Sequence, residues 1–192
     1  MTISKNDLRF VDIEKLNPRI AVDMRYATEN NFMGRPVYPM PKCFLRRKVA
    51  LKICAVHEWL EKKGRGLKIL DAYRPLHVQR MLWEIMPDDR YVAPPEKGSK
   101  HNRGAAVDVT LVDEFGTELP MPTPFDSFSE KAHWACQDLP EDALVNRALL
   151  RTAMEQQGFQ IYAYEWWHFD DAEWASYPIE DLSMEELCCL VC

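Results

Sequence analysis

The segment Ala106-Val107-Asp108-Val109-Thr110-Leu111-Val112 alternates along its length. Val107, Val109 and Leu111 fall on one side of an extended chain and Asp108 and Thr110 on the other, the pattern of a strand with one buried face. Asp108 is thereby predicted to point away from the face that packs. Immediately upstream, residues 87–104 read as polar loop with Pro94, Pro95 and Gly98, and carry Gly98-Ser99-Lys100-His101-Asn102-Arg103-Gly104. Further back, Leu67 to Tyr73 reads as a short strand, and Arg74 is held extended at its end because Pro75 disfavours the helical region for its predecessor.

Helices flank these strands. The spacing of Leu45, Val49, Ile53, Val56 and Leu60 predicts a helix stopped by Gly64 and Gly66, with Lys62 and Lys63 suited to its C-terminal dipole. Val78, Met81, Leu82 and Ile85 predict a second, ending before Pro87, and Val145, Ala148, Leu149 and Ala153 a third, ended by Gly158. Residues 159–169 are aromatic and strand-like. Residues 1–45 contain Pro18, Gly34, Pro36, Pro39 and Pro41, which forbid long helices and suggest an ordered wrap over the core.

The chain has 192 residues, so a single domain over residues 1–192 is expected, with residues 178–192 as a C-terminal tail. Hydrophobic residues at 47% and charged residues at 28% allow a sizeable core and exclude wholesale disorder. A net charge of -6 lacks the basic excess that phosphate binding needs, so nucleic acid is not an expected partner. No apolar run reaches the roughly 18 residues of a membrane span, and the N-terminus lacks the basic start and apolar run of a signal peptide, so a cytoplasmic place is expected. The six cysteines, Cys43, Cys54, Cys136, Cys188, Cys189 and Cys192, form neither a disulfide framework nor paired Cys-x-x-Cys knuckles.

There are five histidines. His57 lies inside the first helix on the side of its polar neighbours, His77 opens the second helix, and His133 stands beside Trp134 without nearby carboxylates; none of these reads as a ligand. His101 sits in the loop before the outward-facing Asp108, and His168 closes Glu165-Trp166-Trp167-His168. Catalytic zinc typically takes three protein ligands and leaves a position open for water, and His101, Asp108 and His168 would make such a set. Glu165 is the natural general base for that water. Residues three apart on a regular strand face opposite sides, so Glu165 and His168 can serve one site only if the strand ends or bends near Trp167. The plainer alternative is a hydrogen-bonded surface histidine with an unrelated aspartate downstream.

Ser99-x-His101-x-x-Gly104-x-Ala106-x-Asp108 together with Glu165-Trp166-Trp167-His168 resembles the zinc D-Ala-D-Ala peptidases. Two further segments, residues 23–32 and Asp71-Ala72-Tyr73-Arg74-Pro75, resemble the D-alanyl-D-alanine dipeptidase branch known from vancomycin resistance, and the likeness runs from about residue 10 to about residue 177. The resemblance implies a compact α+β domain of the hedgehog/D,D-peptidase type, an antiparallel sheet with helices packed mainly on one side and one Zn²⁺ in a cleft. It implies His101, Asp108 and His168 as zinc ligands, Glu165 as the catalytic base, and Arg74 as support for charge developing on the scissile carbonyl, a task suited to a fixed cationic donor fork. Tyr26, Ser99 and Asp126 are its candidates for holding the substrate's ends, with Asp126 suited to a dipeptide's ammonium. One departure is Met121-Pro122-Thr123-Pro124-Phe125-Asp126, where the dipeptidases resemble Met-Gly-Thr-x-Phe-Asp, so two prolines stiffen the loop.

The implied activity is metal-assisted hydrolysis of free D-Ala-D-Ala, tied to cell-wall metabolism, with a small dipeptide as the partner. A D,D-carboxypeptidase or peptidoglycan peptidase of the same zinc family is the alternative among enzymes, and a zinc-stabilised binding module the alternative outside them. Separately, Cys189-Leu190-Val191-Cys192 has the C-a-a-X form of a lipidation signal, with Cys188 beside it, although Glu180, Asp181, Glu185 and Glu186 upstream are acidic instead of basic.

Overall fold

A computed structural model describes Ser4 and residues 6–191; the first residues of the chain and Cys192, on which the signal-peptide and C-a-a-X readings bear, lie outside the described residues. The strands are β1 (Phe10–Asp12), β2 (Ala21–Val22), β3 (Phe44–Arg46), β4 (Gly66–Asp71), β5 (Ala106–Val112), β6 (Phe159–Tyr162) and β7 (Glu165–Asp171). The helices are α1 (Ile13–Leu16), α2 (Arg47–Glu61), α3 (Leu76–Ile85), α4 (Glu141–Gln156) and α5 (Met184–Leu190). Five strands form the main sheet in the order β2-β4-β5-β7-β6, and β1 pairs with β3 in a separate ribbon. All main-sheet pairings are antiparallel except the short parallel contact of β2 with β4. The α+β class with helices on a largely antiparallel sheet is thus observed.

Val107, Val109 and Leu111 of β5, with Ile69 and Phe169 from its neighbours, join Val49, Ile53, Val56 and Leu60 of α2 and Leu150, Ala153 and Met154 of α4 in one apolar core. Each of the larger of these side chains withdrawn from water contributes roughly 1.5–3 kcal/mol before chain entropy is subtracted. β5 is buried on both faces, so Asp108 points away from the helices but not into open solvent. Its face is the floor of a cleft covered by loops.

Several sequence expectations shift here. Leu45 belongs to β3, and the helix starts two residues later, because Arg46 is needed in the extended ribbon, where its guanidinium meets Glu180 and the Arg103 and Leu8 carbonyls. His57 is buried, not on the polar side: its Nδ1 accepts the Leu67 N–H at 3.2 Å, joining α2 to β4. On α4, Val145 is 60% exposed and the inward stripe runs through Ala143, Arg147, Leu150 and Ala153. Arg147 occupies a core position because it donates to the carbonyls of His133 and Cys136, a polar use of an apolar stripe that periodicity does not register. Residues 159–169 form a hairpin, not one strand. Cys189 is exposed on α5, and among the described residues no helix is long and apolar enough to cross a membrane.

Gly104 ends the turn that carries His101. It adopts φ +65, and a Cβ there would collide with the Phe10 ring and crowd the Arg46 backbone. Gly104→Ala combines left-handed strain with overpacking and should destabilise the fold by about 2–4 kcal/mol, read from urea unfolding midpoints at unchanged m.

Candidate functional site

The β5–β7 ladder pairs Asp108 with His168. On the near side of the cleft, His101 begins a short 3-10 turn (His101–Arg103) closed by Gly104 in the left-handed conformation. The turn is tied down from several directions: Asn102 takes the Ser99 N–H at 2.6 Å and donates to the Arg74 carbonyl at 2.8 Å, while the Arg74 N–H meets the His101 carbonyl. As a result His101 Nε2 lies 3.1 Å from His168 Nδ1 and 3.4 Å from Asp108 Oδ1, and His168 Nδ1 lies 3.0 Å from the same Asp108 oxygen. All three residues are buried, and one ligand atom from each lies within 4.8 Å of the others.

The outer nitrogens explain why this cluster wants a cation. His101 Nδ1 faces the Ala72 carbonyl at 2.6 Å, and His168 Nε2 faces Asp170 Oδ1 at 2.9 Å. With their protons directed to those acceptors, the rings turn two lone pairs toward each other and toward a carboxylate oxygen. Two imidazoles, each oriented by an outer acceptor, and one carboxylate are the donor set of catalytic zinc. The charge balance agrees. Burial disfavours a charged His168, yet Asp170 and Asp108 overcome it and raise its pKa to about 10, so the surroundings favour positive charge at this point. Burial likewise opposes charge on Asp170, but His168 and Lys100 hold its pKa down to about 2.

Glu165 reaches the same cavity because β7 is irregular. Along β6 the partners step from Ile161 to Tyr162, while on β7 they jump from Phe169 to Glu165, so the residues between bulge out of register. This is the bend that the Glu165-to-His168 spacing requires, and it leaves Glu165 Oε2 3.8 Å from His168 Nδ1. Burial, reinforced by Asp108 and Asp126 and opposed by His168, pushes the Glu165 carboxyl well above its ordinary range.

Arg74 is buried and ion-paired. It is 6% exposed, grips Asp71 through Nε at 3.0 Å and Nη2 at 2.7 Å, donates to Gln79 from Nη1 at 3.0 Å, and lies 5.1 Å from the centre of the Tyr26 ring. Its Nη2 remains 3.9 Å from Asp108 Oδ2, at the edge of the metal cluster. Asp71 also accepts from the Tyr38 hydroxyl at 2.8 Å. Asp126 is half-buried, with its Oδ1 accepting from the Tyr26 hydroxyl at 3.2 Å and its Oδ2 from the Phe32 N–H at 3.3 Å. Among the described residues it is the one non-glycine at positive φ, +60, a conformation that turns its side chain from a proline-stiffened loop into the cleft. Withdrawal from water, with Asp108 nearby, raises its pKa to about 7. Ser99 accepts the His101 N–H on its hydroxyl and also faces the cavity.

The structure thus gathers all eight sequence candidates around one cavity of about 250 Å³, below the ~300–1,000 Å³ typical of drug-sized pockets. Sequence reasoning missed the residues behind them: Asp71, Gln79 and Tyr38 behind Arg74, and Asp170 behind His168. Asp170 was within reach, since residues two apart on a strand share a face. Asp71 stood beside Arg74 in the segment Asp71-Ala72-Tyr73-Arg74-Pro75, whereas Gln79 carried no such sign.

A family model described as D-ala-D-ala dipeptidase matches residues 6–184. A D-alanyl-D-alanine dipeptidase of Escherichia coli (strain K12) is 37% identical over 169 residues, 88% of this chain and 88% of that protein. Proteins of the same description are 32% identical in Streptomyces coelicolor, over 85% of this chain and 90% of theirs, and 29% identical in Enterococcus faecium, over 85% and 91%.

Asp170→Asn keeps the size of the residue that orients His168 and removes its charge. Zinc affinity should fall about 10–100-fold, measured by competition with a chromogenic chelator.

Proposed function

The chain belongs to the D-Ala-D-Ala dipeptidase family, and from that premise we propose that it hydrolyses the free dipeptide D-alanyl-D-alanine to D-alanine. It is a zinc metallopeptidase. His101, Asp108 and His168 are the residues that would hold the Zn²⁺, one per chain. When bound, the ion supplies Lewis acidity for the peptide carbonyl and for the attacking water.

The protein's own groups divide the remaining work. Glu165 accepts the water's proton on the carboxylate that faces His168 and delivers it to the departing amine; a carboxyl tuned upward by burial is suited to both transfers. Arg74, with three of its N–H groups fixed by Asp71 and Gln79, presents the rest of a rigid guanidinium to the oxygen where negative charge develops. Ser99 and Tyr26 support the substrate's ends, Tyr26 acting partly through its hydrogen bond to Asp126.

The observation that carries the dipeptide reading is Asp126, a carboxylate turned into a small cleft through a strained backbone. A dipeptide arrives with an ammonium, and a desolvated ammonium is tolerated only beside a matching charge. N-acylation removes that charge and adds bulk at the same point. Free D-Ala-D-Ala is therefore expected to be cleaved far faster than N-acetyl-D-Ala-D-Ala, and Asp126→Asn to erode that preference while zinc content stays constant. Equal cleavage of the acetylated substrate would replace this reading with a carboxypeptidase. An Asp126 that holds its proton up to about 7 cannot answer an ammonium at lower pH, so KM for the dipeptide should rise as pH falls below about 7, and Asp126→Asn should flatten that limb.

Glu165→Gln preserves shape and removes basicity. It should retain zinc by elemental analysis and lose about a hundredfold or more in turnover. Loss of zinc together with activity would make Glu165 a ligand.

A further inference from the structure

A dipeptide has a second charge, and Asp126 does nothing for it. The C-terminal carboxylate needs a cation that is free to accept it, and besides the metal-site histidines the cavity wall offers Arg74, Lys97 and Lys100. Arg74 is saturated on one side by Asp71 and Gln79 and turns its remaining edge toward Asp108. Lys100 pairs with Asp170 at 3.1 Å and lies over the Tyr162 and Trp174 rings. Lys97 makes no ion pair among the described residues. Lys97 is exposed and lines the cavity wall, so using it for a ligand requires no existing ion pair to break.

The backbone under Lys97 is held in place. The N–H groups of Lys97 and Gly98 both donate to the Pro94 carbonyl at 3.0 Å. Gly98 then adopts φ +69 directly beneath Ile179, where a Cβ has no room, and Ser99 N–H is caught by Asn102. The lysine stem therefore leaves a rigid turn only four residues ahead of the metal-facing His101, instead of a freely moving loop. Ser99 on the same wall can contribute a hydroxyl but no charge.

From this elimination we propose that Lys97 receives the C-terminal carboxylate of the substrate and so selects peptides whose last residue carries a free carboxylate. The assignment rests on the peptidase reading above and extends it to the leaving residue. It makes Lys97 a specificity residue that acts on binding; the proton transfers belong to other groups.

The test compares D-Ala-D-Ala with D-alanyl-D-alaninamide, which differs in that one charge. For the zinc-loaded wild type the free acid should be favoured in kcat/KM, and Lys97→Gln should reduce kcat/KM for the free acid by about two- to fivefold, through KM with kcat little changed, as expected for one solvent-accessible charge pair. Lys97→Gln should leave the amide's kcat/KM and the zinc content alone, and Lys97→Arg should restore most of the acid preference. If Lys97→Gln discriminates acid from amide as sharply as wild type, the assignment is wrong, whatever the enzyme's preference at the amino end. If instead N-acetyl-D-Ala-D-Ala is cleaved as well as the free dipeptide while Lys97→Gln still loses acid discrimination, Lys97 stands and the free-dipeptide reading falls.

Discussion

Asp108 and His168 face each other across the β5–β7 ladder, and the site depends on that register. Side chains alternate with a period of two, so a slip of one residue would send one of them into the helix-packed core and leave the other alone. What holds the register is the apolar side of the same strands: Val107 opposite Phe169 is buried against the helices, and a slip would expose it. The energy that stabilises the core face therefore sets the geometry of the polar face, whose own groups could not do so. Left to themselves, two imidazoles and a carboxylate at about 3 Å would separate or be hydrated.

The polar groups are buried in layers, each answering the one before it. His101 and His168 face inward because Ala72 and Asp170 take their outer nitrogens, and Asp170 is in turn met by Lys100. Arg74 is held by Asp71 and Gln79, and Asp71 by Tyr38, whose hydroxyl is kept protonated by burial. Buried ion pairs of this kind are weak contributors to stability, since desolvation offsets most of their attraction. Their place around a small cavity, on elements otherwise held by apolar packing, fits a role in orientation. Breaking a single partner would leave an uncompensated charge, so the layer behaves as a unit.

The far wall is built on a different principle. Pro122 and Pro124 limit the freedom of the loop before Asp126, and that residue takes a left-handed conformation that bonds to Tyr26 and Phe32 compensate. Trp166 adds a hydrogen bond from its indole nitrogen to Thr123, anchoring the loop to the bulged part of β7. The bulge thus serves both sides of the cleft. It swings Glu165 toward the metal cluster, and it supplies the side chain that pins the loop bearing Asp126.

Much of the site was legible in the chain because its chemistry uses uncommon residue types at short spacings. Ser99, His101 and Asp108 lie within one loop and strand, Glu165 and His168 within one strand, and the alternation of Ala106–Val112 alone places Asp108 opposite the packed face. The need for a bend between Glu165 and His168 also follows from strand periodicity, because two side chains three apart cannot otherwise meet. The sequence could not reveal that β5 and β7 are neighbours, since pairing across some sixty residues is a tertiary choice made by the core. Nor could it show His57 buried or Arg147 on the inner face of α4, where a polar atom meets a backbone group that local pattern does not register. Asp71, Gln79 and Asp170 acquire their roles only when folding places them behind Arg74 and His168, because in water a carboxylate or an amide has no partner to prefer until burial makes an unpaired charge expensive.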